Sequence, residues 1–122
     1  MILGFKPDFV SQIISGRKVH TVRAGRRWVA GQPISFCTDL GPDNWLRFQP
    51  DGVAQAVQAI RAEEIHGTYL VEIDGRWLLG PELAEFACRD GFESPDQFFH
   101  FLAGYHGLPF EGQLIHWTDL VY

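Results

Sequence analysis

Asp74-Gly75 separates two β-rich runs, Thr68–Ile73 and 76–79. An Asp-Gly loop lets both central residues take positive φ, with a twist that matches antiparallel strands. The pair commits the middle of this chain to a hairpin, and hence to an antiparallel sheet. Other elements are read around it. Ile2–Phe5 predicts a short buried strand. Pro7 and Asp8 then open a helix whose apolar positions, Phe9, Val10, Ile13 and Ile14, form one stripe, with Gly16 as its stop. Further strands are expected over 19–23, 34–37, 45–48, 53–62 and 114–117. Helices are expected over Pro81–Arg89, ended by Gly91, and over 94–105, with Ser94 as N-cap and Pro95 in the first turn. The stretches 23–31 and 38–44 read as loops. Five to seven short strands with about three peripheral helices make an α+β domain, a small and partly closed β-barrel. With 122 residues, one domain over 1–122 can bury a real core.

Several classes are excluded by composition. Hydrophobic residues at 46% and charged residues at 20% rule out a disordered chain. The opening MILGFKPDFV has no long apolar run and carries Lys6 and Asp8, so neither a signal peptide nor a membrane span is expected, and the cytoplasm is the expected compartment. Cys37 and Cys88 lie far apart without CxxC spacing. Two buried, reduced thiols are expected rather than a disulfide or a zinc site. The histidines, at 20, 66, 100, 106 and 116, show no metal-ligand spacing, so no metal and no other cofactor is assigned. Neither a phosphate-binding Gly-rich loop nor GxSxG occurs.

The charge is segregated. The chain carries −5 overall, yet residues 1–31 hold six cationic side chains against one carboxylate, and the remainder holds four against fourteen. A long duplex gripped over a broad face does not fit this pattern; a local anionic or nucleotide-like ligand does. The cations collect at GRKVHTVR, residues 16–23, and at Arg26 and Arg27. Lys18 is either a solvated lysine after a helix or a base. In the second case crowding by Arg17, Arg23, Arg26 and Arg27, with partial burial, lowers its pKa. Thr21 is either an ordinary strand residue or a nucleophile, and the latter needs a base in reach. Strict alternation puts positions 18 and 21 on opposite faces, so they meet only if Lys18 precedes the pleat.

Four features in order carry a resemblance: GxKxxTxR at 16–23 after an N-terminal helix, Trp28 shortly beyond, ACRDGFES at 87–94, and a closing Ile115-His116-Trp117. Together they resemble the ASCH domain family, over nearly the whole chain. The resemblance implies a PUA-like β-barrel and, in many members, RNA binding in a cleft beside the N-terminal helix. Small stand-alone bacterial members are amidohydrolases that deacetylate N4-acetylcytidine. It implies Lys18 as proton acceptor, Thr21 as nucleophile and Asp90 as proton donor, converging in one cleft. Asp90 departs from the family's glutamate, and its shorter arm places the carboxyl differently. Arg23, Arg26, Arg27 and Lys6 would then hold the ligand, with Trp28 either stacking on a base or lying in the core beneath the loop. Three functions are consistent with these residues. One is an amidohydrolase acting on an acylated nucleoside, the second a non-catalytic module for single-stranded RNA or a nucleotide-like small molecule, and the third an adaptor for acidic partners.

Overall fold

The structure is a computed structural model describing residues 1–39, 41 and 44–122. Part of the expected 38–44 loop lies outside the described residues. Among the described residues nine strands and three helices are formed: β1 (Ile2–Phe5), α1 (Val10–Ile14), β2 (His20–Ala24), β3 (Pro33–Asp39), β4 (Trp45–Arg47), β5 (Gly52–Val53), β6 (Ala56–Ile65), β7 (Thr68–Ile73), β8 (Arg76–Leu78), α2 (Pro81–Arg89), α3 (Pro95–Tyr105) and β9 (Phe110–His116). A single 3-10 turn, Pro7–Phe9, leads into α1, so the expected first helix is split in two.

The class is α+β, with more strands than the expected five to seven. One reason is the 53–62 segment, which changes partner partway: Gly52 and Val53 pair with β3, and from Ala56 the chain pairs with β9. The last strand also starts earlier than its apolar run suggests. Glu111, Gly112 and Gln113 have little strand propensity, but β6 pairs with all three and β2 with Gly112 and Gln113. The strands form two sheets, β2-β9-β6-β7-β8 and β1-β3-β4 with β5 also on β3. Only the β1–β3 pairing is parallel among the described residues. Among the described residues no ladder joins the two sheets into a ring, so no closed barrel forms. The hairpin is as expected, with Asp74 at φ 49° and Gly75 at φ 82°.

Two cores lie on opposite faces of the five-stranded sheet. Neighbours along a strand point to opposite faces, and β9 shows this directly. Leu114 joins a core with α2 and α3, whereas Ile115 joins one with Leu3, Phe5, Ile13, Trp28 and Phe36. Helix α2 contributes Leu83, Phe86 and Ala87, spaced to share one face. Each fully buried Leu or Phe stabilises the fold by roughly 1.5–3 kcal/mol. The Ser94 hydroxyl accepts from the Gln97 N–H at 3.2 Å and starts α3. Strand β2 is an edge of the five-stranded sheet, and its alternating side chains reach both cores. His20 stacks on Phe86 of α2, and Arg23 lies over Phe5 of the small sheet. Among the described residues no helix is long and apolar enough to cross a membrane.

Candidate functional site

The carbonyls of Arg89, the last residue of α2, and of its C-cap Asp90 need partners from outside the helix. The chain just ahead of β2 supplies both. Val19 N–H donates to the Arg89 carbonyl at 2.9 Å, and the Lys18 ammonium donates to the Asp90 carbonyl. A cation at a helix C-terminus is favoured by the macrodipole as well. Gly91 follows at φ 98°, with Phe9 and Gln12 only 3.0 Å from where a Cβ would stand, so α2 ends tight against α1. Lys18 thus lies ahead of the pleat, which begins at His20. This placement lets positions 18 and 21 line the same cavity.

Lys18, Thr21 and Asp90 line one cavity of about 240 Å³, and all three are buried. The Lys18 Nζ stands 3.6 Å from Asp90 Oδ1 and 4.8 Å from the centre of the Phe9 ring. Burial disfavours its ammonium form and lowers its pKa from 10.5 to about 8. Asp90 opposes that shift, and Arg23 adds to it. Crowding by four arginines is therefore not the main cause. Desolvation is, and Arg23 is the one arginine that contributes.

Arg23 lies on the same face of β2 as Thr21 and lines the cavity. Its Nη2 donates to the Gly4 carbonyl at 2.8 Å, its guanidinium lies 5.1 Å from the Phe5 ring centre, and burial lowers its pKa. Its Nε is buried with no partner among the described residues. Lys6, exposed at the mouth, sits 5.0 Å over the Tyr105 ring, and both line the cavity.

Three expected ligand contacts lie elsewhere. Trp28 is 2% exposed and packs in the small-sheet core. Gln113 ties its backbone down on both sides, accepting from Trp28 N–H and donating to Trp28 C=O. It cannot present a face to a base. Arg26 and Arg27 are exposed on the loop after β2 and do not line the Lys18 cavity. Arg26 instead borders a separate open groove of about 680 Å³, with Arg61, Glu72, Asp74 and Glu111. Of the thiols, Cys37 is buried and Cys88 is exposed on α2. No group of three or more His, Cys, Asp or Glu is placed for a metal among the described residues.

The sequence reading passed over His20. Its Nδ1 is 2.9 Å from Asp90 Oδ1 and its Nε2 is 2.7 Å from the Tyr122 hydroxyl. The available signal was its place between Lys18 and Thr21; nothing local marks Tyr122. Beside it, His116 Nε2 meets Gln58 Oε1 at 2.9 Å, and burial holds the His116 pKa down to about 4. Comparison with protein families, curated proteins and solved structures yields no match to this chain.

Proposed function

We propose that the cavity hydrolyses a small amide, with an acylated nucleoside such as N4-acetylcytidine as substrate, and that the chain is an ASCH-like, PUA-like domain. The observation that carries this reading is the convergence of Lys18, Thr21 and Asp90 in one buried cavity, with Lys18 desolvated. A lysine with a pKa of about 8 is unprotonated roughly a tenth of the time at pH 7, against about one part in 3,000 for an ordinary lysine. That is the property a general base needs.

The neutral Lys18 amine takes the Thr21 hydroxyl proton as Oγ1 attacks the acyl carbonyl. Lys18 then passes this proton across the 3.6 Å gap to the Asp90 carboxylate, which delivers it to the leaving nitrogen as the C–N bond breaks. The acyl group remains on Thr21 as an ester. Water, deprotonated by the same lysine, attacks that ester, and the acid leaves as the hydroxyl is restored. Arg23, on the Thr21 face, offers N–H groups to the oxyanion. A volume of about 240 Å³ lies below the roughly 300–1,000 Å³ of drug-sized sites and suits a small, nucleobase-sized group.

The alternative is an RNA- or nucleotide-binding module. Its support is the exposure of Arg26 and Arg27 outside the cavity, where phosphates could reach them. Incubation of the purified protein with N4-acetylcytidine, followed by chromatography, decides between them. Release of cytidine supports the hydrolase. No release from any acylated nucleoside, with tight binding of single-stranded RNA, supports the module.

A further inference from the structure

A fully buried histidine with both ring nitrogens engaged stands behind the catalytic carboxylate. His20 is 0% exposed, stacked on Phe86 at 5.2 Å and edge-on to His116 at 5.2 Å. A carboxylate oxygen can only accept, so Nδ1 carries the proton and donates to Asp90 Oδ1. The Nε2 is then an acceptor, and the Tyr122 hydroxyl donates to it. Both partners suit this arrangement. Burial holds His20 neutral by lowering its pKa, and burial pushes the Tyr122 phenol up to about 12, so it keeps its proton.

We infer that His20, oriented by Tyr122, is a positioning residue that holds the Asp90 carboxylate towards Lys18. Its catalytic meaning rests on the amidohydrolase reading; its effect on Lys18 does not. Asp90 Oδ1 is shared between the His20 N–H and the Lys18 ammonium. The His20 hydrogen bond satisfies part of the carboxylate, which weakens its hold on the Lys18 proton. Take that bond away, and the negative charge is answered by Lys18 alone, so the ammonium form is favoured. The other ionisable groups around the set are Arg23 on β2, Arg89 and Glu85 on α2, and His116 on β9, with Asp74 acting on His116. The variants below leave all of them in place.

The test is an NMR titration of the Lys18 ε-methylene. The sequence has two lysines, so Lys6→Arg identifies the Lys18 signal. Four proteins are compared: wild type, His20→Leu, His20→Asn and Tyr122→Phe. His20→Leu should move the Lys18 midpoint up by about half a pH unit or more. Tyr122→Phe, which removes only the hydroxyl, should move it in the same direction by less. His20→Asn can offer an amide N–H in place of Nδ1–H and should stay near wild type. Midpoints of His20→Leu and Tyr122→Phe that match or fall below wild type would overturn the inference. If His20→Leu lacks native near-ultraviolet dichroism, Tyr122→Phe decides alone. No substrate is needed, so an inactive wild type defeats the hydrolase and spares this role. Unmoved midpoints with turnover intact defeat only this role.

Discussion

Raising the pH from about 7 to about 9.5 should stabilise the fold by about 2 kcal/mol through Lys18 alone. In the folded protein its pKa is lowered from 10.5 to about 8, with burial as the largest cause. The unfolded chain restores the ordinary value. Between those two values the unfolded chain binds more protons than the native one, so stability climbs with pH. Integrating over the window gives about 2 kcal/mol, and about 3 kcal/mol by pH 10.5. The window stops at about 9.5 because Tyr122, pushed up to about 12, acts in the opposite sense above pH 10. Lys18→Met removes the effect and leaves the other titrating groups. Urea unfolding followed by far-ultraviolet dichroism, at matched ionic strength, gives stability at each pH. The wild-type curve should rise relative to the Lys18→Met curve by about 2 kcal/mol across the window. Parallel curves would refute the claim that Lys18 is desolvated in the native state.

Thr21→Ala and Lys18→Met should each remove nearly all turnover of N4-acetylcytidine, and the double variant should be hardly worse than either, because nucleophile and base act as a unit. Additive losses in steady-state rates would mark two independent binding residues. Trp28→Ala should cost about 3–5 kcal/mol in chemical denaturation, with KM unchanged wherever the variant is folded; a raised KM would return Trp28 to the site. Affinity for single-stranded RNA, followed by fluorescence anisotropy, should fall with log[salt] at a slope of roughly −1.5 or shallower. Arg26 and Arg27 are the exposed cations of the loop after β2, and each phosphate contact is worth about −0.7.

Most of the α+β architecture was legible because its signals are local. Asp74-Gly75, the Ser94-Pro95 start of α3 and the Gly16 stop each act through the backbone of a few residues. Pairing is not local. The start of β9 at Phe110 depends on pairing with β6, with β2 joining from Gly112, and the split of 53–62 depends on a change of sheet. Lys18, Thr21 and Asp90 were found through a resemblance in motif, and one cavity does hold all three. The cause of the Lys18 shift was not legible, because burial under Phe5 and Phe9 is a tertiary property. Nor did the charge cluster show that Arg23 points inward while Arg26 and Arg27 stay outside. Trp28 left two readings open until its burial chose the core.

The central claim is that Thr21 takes the acyl group. The direct measurement mixes purified protein with excess N4-acetylcytidine, quenches in acid within the first turnovers, and maps the peptides by mass. An acetyl ester on Thr21, with cytidine released and neither seen for Thr21→Ala, is the expected result. Cytidine released at full rate by Thr21→Ala, or none released by the wild type, would contradict it.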